Sequence, residues 1–286
     1  MILAAGLGTR LNPYTLIRPK PLFPVLGEPL LLRIVAQLRA AGFTQIVVNA
    51  FHLAEQLVAA LHGQADIVIQ REPMELGTGG GLRLALAHFS EGEPVLVTNG
   101  DIYHDIDYGE AYARHLQGGA PLTMVMHHYP RFNKVRVEGG QVRGFASRDE
   151  TPGAQTLQAF TGIHVLDPWL LKEIPAARFY SIIDRYQGHL ESGGTIRAHT
   201  VSGHFWQDIG TIGDYLDLHA TLLGQAEPRF RLAPEVTVGQ AVTLDEWGYV
   251  GAGATIGDGA SLRRVVVWEG AVIPQGAILQ DSLVTA

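Results

Sequence analysis

Two spacings of apolar residues divide the first two thirds of the chain. Apolar runs at Met1–Ala5, Thr44–Ala50, Asp66–Gln70 and Pro94–Thr98 read as short buried strands. Between them, Pro29–Ala41 sets Leu30, Leu31, Ile34, Val35 and Leu38 at helical spacing and stops at Gly42. Leu53–Leu61 and Gly81–Phe89 read as further helices. Strands apolar on both faces, with a helix between each, predict a parallel, doubly wound sheet. After residue 120 the pattern is mixed. Leu122–His128, Lys134–Phe145 (turning at Gly139-Gly140) and Ala159–Leu166 read as β structure. Ser181–Leu190 and Gly213–Leu223 read as helices, with strands at Thr195–Val201 and His204–Ile209. The expected fold is α/β: a doubly wound, mixed but mostly parallel sheet.

The C-terminal segment changes period. Leu244, Val250, Ile256, Leu262 and Trp268 recur every six residues; after one slip, Val267, Ile273 and Leu279 carry the beat on. Gly253, Gly259, Gly270 and Gly276 mark turns. A hexad puts one small or apolar residue on each face of a triangular parallel β-helix. Two domains are therefore expected, 1–224 and 234–286, with Gly224–Ala233 as the linker. So short a solenoid suits self-assembly, and a homo-oligomer is expected through it.

Composition narrows the chemistry. The chain has no cysteine, which excludes disulfide staples, Cys-ligated metals and thiol catalysis. A net charge of −7 argues against a nucleic-acid partner. No apolar run approaches the ~18 residues that span a bilayer, and the N-terminus lacks a basic leader. A cytoplasmic protein without a membrane partner is expected. There are 34 glycines in 286 residues, well above the usual share of about 7%, so their placement matters. Gly6 and Gly8 follow the first strand, where bare backbone amides can approach a phosphate. Arg10 in that loop suits a polyphosphate. Lys20 stands between Pro19 and Pro21, a stiffness that a phosphate-binding lysine would use.

Together, Gly6-Leu7-Gly8-Thr9-Arg10-Leu11 and Pro19-Lys20-Pro21-Leu22-Phe23-Pro24 resemble the G-x-G-T-R-L and P-K-P-L-x-P signatures of sugar-1-phosphate nucleotidylyltransferases. The resemblance runs on through Glu75-Leu76-Gly77-Thr78-Gly79-Gly80, Asn99-Gly100-Asp101 and Trp206-Gln207-Asp208-Ile209-Gly210-Thr211. It implies a Rossmann-like nucleotidyltransferase domain, with the hexads forming the left-handed β-helix that many members carry. It implies transfer from a nucleoside triphosphate to a sugar-1-phosphate, releasing pyrophosphate. Arg10, Lys20 and Asp101 would be catalytic, and Asp101 and Asp208 would bind Mg²⁺. Nucleotide contacts would come from Ala5, Gly6, Gly8, Thr9, Glu75, Gly77, Thr78, Gly79 and Gly80. The glycines at 77, 79, 80 and 81 would let the base lie on bare backbone, and a helix starting near Gly81 would direct amides at it. Asn133, Gly144, Thr161 and Gly162 would meet the sugar.

One departure stands out. Members often carry E-K-P where this chain has Phe145-Ala146-Ser147-Arg148, so Arg148 is the candidate substitute for a lysine. Members also usually begin a few residues earlier. Likeness of the glycine loop to guanylyl- and uridylyltransferases favours GTP or UTP over ATP. Mannose-like, heptose-like and N-acetylmuramate-like sugars stay open. Two other readings differ in class. One is a non-catalytic nucleotide-sugar sensor of the same fold, against which the retained Arg10, Lys20, Asp101 and Asp208 argue. The other is a hexapeptide acyltransferase, against which the absence of histidine from 234–286 argues.

Overall fold

All but one of the predicted strand regions supply one nine-stranded sheet in the computed structural model, which describes residues 1–146, 157–224 and 229–286; His204–Ile209 yields only the short strand Trp206–Asp208, outside that sheet. Its spatial order is Ile67–Arg71, Ile46–Ala50, Ile2–Leu3, Val95–Asn99, Leu157–Leu166, Leu122–His127, Arg197–Thr200, Gln141–Phe145 and Asn133–Glu138. The first four strands are parallel. Leu157–Leu166 then enters antiparallel to both of its neighbours, and of the remaining pairs only Arg197–Thr200 on Leu122–His127 is parallel. The sheet is therefore evenly mixed rather than mostly parallel. Part of the reason is local: Gly139-Gly140, both at positive φ, close a tight hairpin that needs no crossover helix; the other antiparallel pairs come from Leu157–Leu166 and from Arg197–Thr200 on Gln141–Phe145.

By their internal contacts the residues form two compact units. One is Met1–Leu7 with Ile34–Trp206; the other is Gly8–Arg33 with Gln207–Ala286. In the first, helices Gly77–Ala85 and Ile182–Glu191 contribute Leu82, Ala85, Ile182 and Tyr186 to a core with Val97, Met124 and Met126 of the sheet. A helix at Tyr108–Leu116 was not legible in the sequence. It buries Tyr108, Ala111 and His115, a stripe too poor in aliphatic residues to stand out. Asp107 caps it, accepting from Gly109 N at 2.7 Å and Glu110 N at 3.0 Å. No helix among the described residues is long and apolar enough to cross a membrane.

The second unit holds the 8–33 segment, helix Ile212–Leu223 and three stacks of short parallel strands. One stack pairs Phe230, Gly248, Val265 and Ser282 in turn, a second Thr237, Thr255 and Val272, a third Thr243, Ser261 and Ile278. Val250, Ile256, Leu262, Val267 and Ile273 fill the interior. Two features differ from expectation. Phe230–Leu232 is the first strand of a stack rather than linker. Trp268 leaves the interior, because the register slips between Asp245 and Gly248 opposite Arg263 and Val265. After that slip Val267 holds the inward position and Trp268 turns outward onto Phe23 and Tyr215.

Candidate active site

In the second unit, Gly8 takes a left-handed conformation (φ +64°) that starts a short turn at Thr9–Leu11. A Cβ there would stand 2.8 Å from Thr15 Cγ2, so the loop folds tightly on Thr15. Thr15 Oγ1 donates to Gly8 O at 3.1 Å. Leu11 is buried and anchors the turn, leaving the Arg10 side chain 63% exposed. Lys20 begins a second short turn between Pro19 and Pro21. Its side chain is only 6% exposed, and its ammonium donates to Asp208 Oδ1 at 3.1 Å. Arg10 Nη2 lies 4.0 Å from Asp208 Oδ2. Gly210 keeps this approach open, since a Cβ would sit 2.5 Å from Asp208 Oδ2 and 2.9 Å from Arg10 Nη1. One carboxylate thus holds two cations in place. Cations held rigidly in this way suit a phosphate. The fold thus brings together Arg10, Lys20 and Asp208, up to 198 positions apart in sequence.

In the first unit, Asp101 follows the Val95–Asn99 strand and is half-buried. The preceding Gly100 donates its N–H to Leu3 O at 2.8 Å, and a Cβ on it would lie 3.0 Å from the same oxygen. This close approach sets the start of the Asp101 turn against the first strand. Ala5 is half-buried, and a Cβ on Gly6 would meet nothing within 4 Å, so the chain opens outward after the first strand. Glu75 and Thr78 are exposed.

The glycine segment departs from expectation. The helix starts at Gly77, four residues early, so Gly79, Gly80 and Gly81 lie within it and are buried. A Cβ would stand 3.0 Å from Ile182 N at Gly79, 2.7 Å from Arg178 O at Gly80 and 2.5 Å from Glu72 Oε1 at Gly81. The amides of Gly79 and Gly80 donate to Tyr180 O at 2.8 and 3.2 Å. Gly79 and Gly80 therefore let the helix pack closely on 178–182 and Gly81 lets it pack on Glu72 and Asn49, while the amides of Gly79 and Gly80 are already taken by protein.

The sugar candidates are likewise engaged. Thr161 is buried; its hydroxyl donates to Val125 O at 2.8 Å and accepts from Ile163 N at 3.2 Å, bracing an irregularity in its strand. Gly162 (φ +83°) is where that irregularity turns, and a Cβ would meet Asn99 Nδ2 at 2.6 Å. Gly144 (φ +155°) marks a similar register shift against Asn133–Glu138. Asn133 Oδ1 accepts from Tyr129 N at 2.9 Å. Arg148 lies outside the described residues.

A model of the family described as nucleotidyl transferase matches residues 1–225. The chain belongs to the nucleotidyl transferase family. The mannose-1-phosphate guanylyltransferase of Mycobacterium tuberculosis is 28% identical, over 98% of this chain and 82% of its own. The N-acetylmuramate alpha-1-phosphate uridylyltransferase of Neisseria meningitidis is 33% identical, over 74% of this chain and 93% of its own. Among solved structures, HddC from Yersinia pseudotuberculosis, complexed with GMP-PN, shares the fold with a TM-score of 0.63 at 22% identity, over 76% of this chain and 96% of that one. The resemblance carried by the Gly6–Leu11 and Pro19–Pro24 motifs is borne out, and with it the enzyme class, sugar-1-phosphate nucleotidylyltransferase.

Two supporting features of this transferase escaped the sequence. Asn49 Oδ1 accepts from Ala4 N at 2.7 Å, while its amide donates to Glu72 Oε1 at 2.7 Å. Glu72 also accepts from Leu76 N at 3.4 Å, just before the glycine helix, and burial pushes its carboxyl above the usual range. A lone Asn at the C-terminal end of an apolar strand was the available signal. The second is an aromatic cluster. Trp206 donates from Nε1 to Thr161 O at 2.9 Å and packs on His127, Tyr129 and Phe132 with ring centroids 5.0 to 5.7 Å away. The carboxylates expected at a metal fit a hard cation by their chemistry. Asp208 faces Lys20 with one oxygen and Arg10 with the other, and a carboxylate offers about four lone-pair sites.

Proposed function

We propose that the chain transfers a nucleotidyl group, with GTP or UTP the favoured donor, to a sugar-1-phosphate. The observation carrying this is the Lys20–Asp208–Arg10 cluster. A nearly buried lysine and an exposed arginine share one carboxylate, inside a chain whose net charge is −7. Such a cluster attracts a polyphosphate locally while the rest of the molecule does not. In the reaction a phosphate oxygen of the sugar-1-phosphate forms a bond to the α-phosphorus. The bond from that phosphorus to the bridging oxygen breaks, and pyrophosphate leaves with the electron pair. No protein nucleophile is needed, because the acceptor phosphate attacks. Lys20, held stiffly between prolines, would orient the phosphates, and Arg10 would follow the leaving pyrophosphate. Asp101 and Asp208 would hold Mg²⁺, which supplies charge neutralisation at the phosphoryl group.

The test is a panel of nucleoside triphosphates and sugar-1-phosphates, read by pyrophosphate release with magnesium. Turnover with GTP or UTP and a mannose-like, heptose-like or N-acetylmuramate-like acceptor is expected; no turnover with any pair would sink the reading. Asp101→Asn should remove most magnesium-dependent turnover while leaving the fold intact. Residues 1–224 are proposed as the catalytic domain, and the C-terminal strands as a left-handed β-helix through which a second copy of the chain docks in the cytoplasm. Val272 (67% exposed) and Ile278 (83% exposed) support that docking. Light scattering on a Val272→Lys, Ile278→Lys double variant should give a smaller mass than the parent chain.

A further inference from the structure

We propose that Trp268 and Glu269, on the strand stack, are positioning residues for Lys20. The inference rests on Lys20 as the phosphate-binding lysine, and gives the stack a role in the reaction beyond assembly. All contacts lie within the second unit. Arg18 stands two residues before Lys20; its guanidinium lies over the Trp268 ring, 4.2 Å from the centroid. Glu269 accepts from both guanidinium nitrogens of Arg18, at 3.3 Å from Nη1 and more closely from Nη2. Phe23 stands three residues after Lys20, and its ring packs edge-on against Trp268 at 4.9 Å. Trp268 Nε1 donates to Tyr215 Oη at 3.1 Å, and that hydroxyl in turn donates to Pro24 O. Farther out, Tyr14 Oη donates to Leu283 O at 3.1 Å.

One buried indole thus grips the chain on both sides of Lys20. Pro19 and Pro21 make the connection stiff, so a displacement at Arg18 or Phe23 passes to Lys20 instead of being absorbed by backbone rotation. The Arg18–Glu269 pair is half open to water and adds little stability by itself. Its effect is directional: it fixes Arg18 over the indole face. Sub-ångström placement matters for transfer between two polyanions, where a misplacement of about 1 Å can cost on the order of a hundredfold in rate.

The chain has three lysines, and Lys134 and Lys172 are exposed. Acetylation by N-hydroxysuccinimidyl acetate, followed by peptide mass spectrometry, therefore reads Lys20 against two internal references. In Trp268→Ala, Lys20 should be acetylated several-fold faster while Lys134 and Lys172 keep their rates. The kcat/KM should fall about tenfold or more at a temperature well below unfolding. Trp268→Phe keeps a ring for Arg18 and Phe23 and should recover most of both. Should Trp268→Ala fail to fold, Arg18→Ala at the surface of the same contact should also expose Lys20. Unchanged Lys20 acetylation in a folded Arg18→Ala or Trp268→Ala variant overturns the proposal. Faster acetylation in a chain that turns over no substrate pair keeps the positioning role and sinks the proposed reaction instead.

Discussion

Replacing Asp208 by asparagine removes one charge from a pair in which the lysine is 6% and the aspartate 15% exposed. At 3.1 Å and an effective dielectric constant of about 20, the gross attraction is roughly 5 kcal/mol. Desolvation of both ions offsets much of it, and the asparagine carbonyl still accepts from Lys20, so the net loss should be about 2 kcal/mol. For a chain of this size the unfolding temperature should fall by roughly 3 °C. Calorimetry at pH 7 with EDTA isolates this effect from any bound metal. Lys20→Met is the companion variant. It removes the buried ammonium itself and leaves Asp208 beside Arg10. Turnover should fall in both variants by a factor on the order of 10² or more. The reasoning fails if Asp208→Asn unfolds within about 1 °C of the parent.

Packing and burial lead to three more expected outcomes. Gly80→Ala places a methyl 2.7 Å from Arg178 O and should cost about 1–3 kcal/mol by calorimetry; a neutral result would mean the glycine helix is not held against 178–182. Thr161→Val loses the hydroxyl bonds to Val125 and Ile163 and should lower stability by about 1–2 kcal/mol with the sugar-phosphate KM unchanged. A raised KM at unchanged stability would restore Thr161 as a sugar contact. His219 is buried: its Nε2 accepts from Leu26 N at 3.2 Å, and burial lowers its pKa from 6.5 to about 4. A folded-state pKa below the unfolded one means the unfolded chain takes up the proton first. The stability it contributes is therefore present above pH 6.5 and is lost as the pH falls towards 4, by up to about 3 kcal/mol. Denaturant titrations from pH 7 to 4 should show a decline, which His219→Gln should lessen but not abolish, since burial lowers His164 in the same direction.

The elements were largely legible because their signals are local. Apolar spacing located Leu30–Ala40 and Ile182–Glu191 within a residue or two, and the six-residue beat showed the strand stack together with its single slip. The two phosphate-loop motifs identified the family from about twenty residues. Local signals failed where the deciding neighbour was distant. Nothing near Gly79–Gly81 announces Tyr180, so an open glycine surface and a packed one look alike in sequence. Thr161 looked available to a sugar because Val125, 36 positions away, was not in view. The antiparallel entry of Leu157–Leu166 depended on pairing partners, not on its own alternation. By itself, then, the sequence determined which residues could carry phosphate chemistry, through charge, glycine and proline at fixed spacing. Only the tertiary structure decided which were free to do so and what holds them. A buried ammonium needs a carboxylate, and a stiff loop needs something to lean on; Asp208 and Trp268 meet those needs from 188 and 248 positions away.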